Sequence, residues 1–152
     1  MALSLEAPNA VRQRALAEIR KPKTQAGLKA LFSYLAQHKG SPQLQFVTFA
    51  ALAGTDTVIA DAACKVYAIF SKKPSGSSTT SFFKLTDHAS TGSATAETLK
   101  YPMLSTNEDL LVFYDGLAMS AGATLLAHTT SDGNTGSSAA DRADGFVIVG
   151  AP

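Results

Sequence analysis

Three histidines, one cysteine and a scatter of acidic residues are the side chains of this chain that could carry chemistry, and their spacing supports little of it. His38, His88 and His128 fall on a predicted helix end, a loop and a predicted strand, so no two of them share an element at metal-ligand spacing. Asp87-His88 could orient and deprotonate a serine, but the Gly-x-Ser-x-Gly turn that presents a nucleophile does not occur in the sequence. Nor does a Gly-rich loop of the Walker or dinucleotide type. Cys64 is the only cysteine, which excludes an intramolecular disulfide and a thiolate metal cluster within one chain. Set between Ala62-Ala63 and Lys65-Val66-Tyr67, it reads as a small buried hydrophobe. Asp132, Asn134, Asp141 and Asp144 could offer oxygens to a calcium ion, but their spacing is not that of an EF-hand loop. They are read instead as exposed contact residues of a long loop, 131–145. No catalytic residue, metal site or cofactor is expected, and the chain is not read as an enzyme.

The elements that would position these residues come in two kinds. Thr24 is a predicted N-cap, Leu28, Leu31, Phe32 and Leu35 follow the spacing of an amphipathic helix, and Lys39-Gly40 supplies a terminal cation and a stop before Pro42. A weaker helix is predicted from Pro8 onward, with Val11, Ala15 and Ile19 four apart and Lys21-Pro22 ending it. After Pro42 the period changes. Runs at 43–49, 63–70, 110–114, 124–129 and 146–149, with weaker ones at 81–85 and 98–101, read as strands separated by Ser/Thr/Gly-rich turns. The expected fold is mainly β, an antiparallel, jelly-roll-like β-sandwich with a short helical N-terminal appendage. The expected core is Phe46, Phe49, Val66, Ile69, Phe82, Leu85, Leu111, Phe113, Leu125, Phe146 and Ile148, to within one register step. The Phe146–Val149 run places a core strand at the C-terminal end.

Charge divides the chain at the same place. Residues 1–40 carry seven Lys and Arg against two Glu, a balance of +5, whereas residues 41–152 sum to −4. This suggests a basic helical arm, 1–41, on a β-sandwich domain, 42–152, the arm meeting an acidic partner through Arg12, Arg14, Arg20, Lys21, Lys23 and Lys29. Only 16% of residues are charged, below the ~25% of ordinary soluble domains, so much of the surface must be covered by small polar residues or by another protein. No apolar run approaches the ~20 residues that span a bilayer, and the first residues lack the pattern of a secretory signal, so synthesis in a host cytoplasm and no membrane partner are expected. The cations are too sparse, and too little interleaved with aromatics, for a nucleic-acid contact.

The basic arm, strands such as Val66-Tyr67-Ala68-Ile69-Phe70-Ser71, Asp115-Gly116-Leu117-Ala118 before Ala121-Gly122-Ala123-Thr124-Leu125, and the closing Gly145-Phe146-Val147-Ile148-Val149-Gly150 together resemble small β-sandwich virion proteins of tailed bacteriophages. Among these the resemblance is to capsid decoration, or cement, proteins. It covers about residues 42–152 as a pattern rather than as a diagnostic motif. It implies a structural protein on the outer surface of the capsid, bound to the major capsid protein, trimeric, and without cofactor. The alternative from the same resemblance is a receptor- or glycan-binding knob of a head or tail fibre, or another tail or baseplate module. The lack of Trp weakens the glycan reading, because sugar sites stack on exposed rings.

Overall fold

The computed structural model describes residues 24–40, 42–52, 57–73, 81–89, 97–103, 108–128 and 142–152. They form one helix, α1 (Thr24–His38), and eight strands: β1 (Leu44–Leu52), β2 (Thr57–Ala60), β3 (Cys64–Lys72), β4 (Ser81–Thr86), β5 (Glu97–Met103), β6 (Glu108–Met119), β7 (Ala123–His128) and β8 (Ala143–Gly150). The strands make two four-stranded antiparallel sheets, sheet I in the order β1-β8-β3-β6 and sheet II in the order β2-β7-β4-β5. The fold is thus mainly β, as the period-2 runs after Pro42 require. Consecutive strands lie in different sheets, except for the β4–β5 hairpin.

The side chains between the sheets follow from strand alternation. Val147 and Val149 of β8, Val66 and Ile69 of β3, and Phe49 and Leu52 of β1 meet Ile59 of β2, Phe83 and Leu85 of β4, and Leu125 and Ala127 of β7 in one buried cluster. Phe49 and Phe83 meet edge to face across it, ring centroids 6.4 Å apart.

The opposite face of sheet I is covered by α1. Leu31, Tyr34 and Leu35 pack on Tyr67 and Ala68 of β3, Leu110, Val112 and Tyr114 of β6, and Ile148 of β8. Burying three such side chains contributes several kcal/mol, at roughly 1.5–3 kcal/mol each. A 15-residue helix would be marginal alone, so this contact is what holds it. Residues 24–38 of the basic segment are therefore built onto the β domain. The weaker helix expected between Pro8 and Ile19 lies outside the described residues.

Covering both faces explains the unbroken Phe146–Val149 run. Val147 and Val149 enter the core between the sheets, while Ile148 and Phe146 face the helix side. β8 is also an inner strand, paired with β1 on one side and β3 on the other. The expected core residues divide between the two faces of sheet I, and some are not fully buried. Ile148 is buried under the helix, Phe146 is only partly buried there, and Phe46 is 54% exposed. Phe46 lies on the α1 side of sheet I but on edge strand β1, beyond the reach of the helix's main contact face. On β4, Phe83 rather than Phe82 is the core residue, one register step from expectation.

Candidate functional site

The residues singled out for chemistry are dispersed or engaged in structure. His38 ends α1, exposed, with its ring 4.7 Å from that of Tyr34. The His88 carbonyl accepts a hydrogen bond from Thr124 Oγ1 at 2.7 Å. The side chain of His128 lies outside the described part of the structure. Among the described residues no group of three or more His, Cys, Asp or Glu could hold a metal ion. Cys64 is buried at the start of β3, and burial first, then the Asp87 charge, push its thiol pKa above the ordinary value. That opposes thiolate formation and fits the expected role of a small hydrophobe.

Asp87 does meet a serine, but in an arrangement that holds a turn rather than performs acid–base chemistry. Its carboxylate accepts hydrogen bonds from the Ala121 amide at 2.7 Å, the Ser120 hydroxyl at 2.7 Å, the Ser120 amide at 2.9 Å and the Gly122 amide at 3.4 Å. These donors, led by the Ala121 amide, lower its pKa to about 2. A carboxylate so stabilised is a poor general base near neutral pH. What it does is tie the segment after β4 to the tight β6–β7 connection, where Gly122 adopts φ +149° and a Cβ would fall 2.6 Å from the Ala60 carbonyl. No sequence signal pairs Asp87 with residues 33 to 35 positions away.

Asp144, expected in the long loop, is the second residue of β8. It is exposed, and its carboxylate accepts a 2.7 Å hydrogen bond from the amide of Ala51, which sits at φ +50° where the β1–β8 register shifts. Its observed job is thus to pin a bulge. Asp132, Asn134 and Asp141 lie outside the described residues, as do Arg12, Arg14, Arg20, Lys21 and Lys23. Lys29 is described, and it is exposed on α1.

A second bulge shapes the helix side of sheet I. The β3–β6 pairing passes from Val66↔Leu117 to Ala68↔Val112, so β6 carries extra residues opposite Tyr67. Gly116 makes the return at φ +74°, where a Cβ would lie 2.9 Å from that of Lys65. The detour brings Tyr114 to 4.9 Å from the Tyr34 ring and lets Asp115 accept from Tyr34 Oη at 3.2 Å and pair with Lys39 Nζ at 3.2 Å. Bulges re-aim side chains in this way. Here the bulge clasps the C-terminal end of α1, which Gly40 terminates at φ +65°.

The other flank of α1 is open. Phe32 and Phe46 are the exposed large aromatics among the described residues, at 38% and 54%, and their rings stand 6.2 Å apart. Phe46 continues to Phe146 at 5.6 Å, and Phe146 to Phe70 at 5.0 Å, giving a row of rings across β1, β8 and β3. Beside it, a groove of about 590 Å³ on the helix is lined by Leu28, Lys29, Phe32, Ser33 and Ala36. The surface thus combines exposed aromatic rings with one lysine at its edge. The sequence marked Phe32 as part of the helix's apolar face and Phe46 as core, so this patch was legible only as hydrophobicity. A separate hollow of about 520 Å³ lies where the β2–β3 turn meets the C-terminal residues, lined by Gln43, Gln45, Asp61, Cys64 and Gly150 among others. No helix among the described residues is long and apolar enough to cross a membrane.

Comparison with protein-family models, curated proteins and solved structures finds no match to the chain in any of the three.

Proposed function

We propose that this chain is a structural virion protein, a jelly-roll module that binds an assembled phage head from outside and stabilises it as a decoration protein. The observation that carries this reading is the strand order. β1 pairs with β8, β2 with β7, β3 with β6 and β4 with β5, the pattern of one long antiparallel hairpin rolled into two facing sheets. That pairing supports a jelly-roll reading, an architecture used by viral capsid domains and also by lectins and cupins. Because fold does not decide function, the surface must choose among them. The exposed rings of Phe32 and Phe46 beside Lys29, together with a low overall charge, favour a protein partner over a small ligand.

A protein of this kind acts through differential affinity. Binding the assembled shell but not its dissociated subunits stabilises the shell by mass action. Repetition over many sites, and a homotrimeric form that presents three contact surfaces at once, multiply weak contacts. The alternative, a receptor- or glycan-binding knob, would use the same architecture. It would be expected to surround the rings with several polar groups for sugar hydroxyls, whereas beside Phe32 the groove sets only Lys29 and Ser33 against the apolar Leu28 and Ala36.

The test is to purify particles produced from the genome that encodes the chain, measure its copy number relative to the shell protein, and locate it by electron cryo-microscopy. A fixed stoichiometry with trimeric density on the outer head surface supports the reading. Absence from particles, or density confined to a fibre tip, overturns it.

A further inference from the structure

We propose that the outer edge of β1 is a self-association surface, where a second copy of this chain adds its own β1 antiparallel across a twofold axis and the two copies of sheet I become one eight-stranded sheet. A sheet edge presents unpaired backbone donors and acceptors, and proteins normally blunt it with charge, proline, bulges or brevity. Of the four edge strands described, three are blunted. β2 has four residues and a register shift, β5 contains Pro102, and β6 carries Glu108, Asp109 and Asp115 together with its bulge. β1 differs. Leu44–Leu52 holds no charge and no proline, and its bulge lies between Phe49 and Leu52, so Leu44–Phe49 keep regular register with β8 and an open flank among the described strands. Phe46, the most exposed of the large hydrophobics described, stands on this stretch.

A second copy is the occupant because β1 complements itself. Strand alternation places Leu44, Phe46 and Thr48 on the α1 face. A twofold axis through Phe46, perpendicular to the sheet, therefore keeps both helices on one face and sets Phe46 opposite its own copy, Leu44 opposite Thr48 and Gln45 opposite Val47. No like charges meet, and facing aromatic rings stabilise such a pair. The row Phe70–Phe146–Phe46 then runs on into the row of the second copy. α1 packs on β3, β6 and β8, which leaves the β1 edge clear on that face apart from the Phe32 ring. The assembly also closes. Pairing consumes the unblunted edge of each copy, and the joined sheet ends on both sides in β6, whose charges and bulge oppose further addition. A ladder from Leu44 to Thr48 is about 17 Å long, which places the contact in the small, reversible class of interfaces. The pairing does not depend on a virion role, and copies joined in threes by another surface would be paired by it all the same.

The experiment is sedimentation equilibrium of the full chain and three variants, from low to high micromolar concentration. The unaltered protein is expected to rise with concentration to twice the mass of Phe46→Lys, which sets two ammonium groups face to face on the axis and should raise the dissociation constant by about tenfold or more. Thr48→Lys, exposed on the same face, should weaken pairing in the same direction. Val58→Lys, which charges the exposed hydrophobic of the blunted edge β2, should pair as the unaltered protein does. All three should keep the far-ultraviolet β signal. Hydrogen exchange gives the location: amides within 44–48 should be protected at high concentration and exchange faster on dilution. The proposal is overturned if the unaltered chain keeps the mass of Phe46→Lys throughout, which would leave the edge to the strand of a different protein. It is overturned equally if Val58→Lys dissociates the pair as well as Phe46→Lys does, if mass grows without limit, or if exchange across 44–48 is independent of concentration.

Discussion

Asp87→Asn isolates the contribution of one carboxylate to the β6–β7 connection. In the native protein the charged group accepts from the Ser120 and Ala121 amides and the Ser120 hydroxyl, all within 2.9 Å. Hydrogen bonds to a charged acceptor contribute about 1.5–3 kcal/mol each. The asparagine oxygen keeps one or two of them, however, and the site is only partly shielded from water, so the net cost is about 1–2 kcal/mol. For a domain of this size that is a fall in Tm of about 3–6 °C. The pH dependence is the sharper test. The folded pKa, about 2, lies below the ordinary 3.8, so the stabilisation is complete above the unfolded value and is lost as pH falls through the folded one. Thermal melts of both proteins at pH 7, 5, 3 and 2 should show the full gap at pH 7 and 5, a smaller gap at pH 3, and near coincidence by pH 2. Equal melting temperatures at pH 7, or a gap that stays constant down to pH 2, would refute the reasoning.

Leu35→Ala, at the buried contact of α1 with sheet I, should cost about 2–4 kcal/mol in chemical denaturation and raise hydrogen exchange across the helix before the strands. Gly145→Ala should cost about 3 kcal/mol or more, or give insoluble protein, because its Cβ would meet the Phe70 carbonyl oxygen and the Phe49 ring at 2.7 Å; soluble protein with native stability would contradict the packing of β8 on β3. Deleting residues 1–40 should expose Tyr67, Leu110, Val112, Tyr114 and Ile148 and produce aggregation or strong binding of a hydrophobic dye, whereas deleting 1–20 should leave the β domain folded by circular dichroism.

How much of this was legible in the sequence depended on whether the signal was local. The α1 pattern and its stop at Lys39-Gly40 are local, and the helix ends at His38 with Gly40 in the left-handed region. Six of the seven strand runs gave their elements to within a few residues, and the seventh, 110–114, stops five residues short of the end of β6. β2 was missed because Val58 and Ile59 are the only large apolar residues in its four, and the preceding Gly54-Thr55-Asp56 reads as a turn. The burial of both faces of sheet I was not legible, since nothing in β8 alone says whether a helix or a second sheet lies over Ile148. The β6 bulge was hidden for the same reason. Asp115-Gly116 looks like a turn, and only the pairing with β3 shows that the chain leaves the ladder and then rejoins it.

Those long-range facts change what the basic segment can be. As a free arm it would offer a partner both its cations and its apolar helix face. With Leu31, Tyr34 and Leu35 committed to sheet I, that apolar face is no longer available, and among the described residues the exposed large hydrophobics are Phe32, Phe46 and Val58. On the proposed attachment to a shell, the cations would orient an approach that the rings complete, and exposed charges of that kind are screened beyond about 8 Å at physiological salt. Attachment governed by Lys29 and the other cations should therefore show in the association rate and its salt dependence, while loss of Phe46 should show in the dissociation rate.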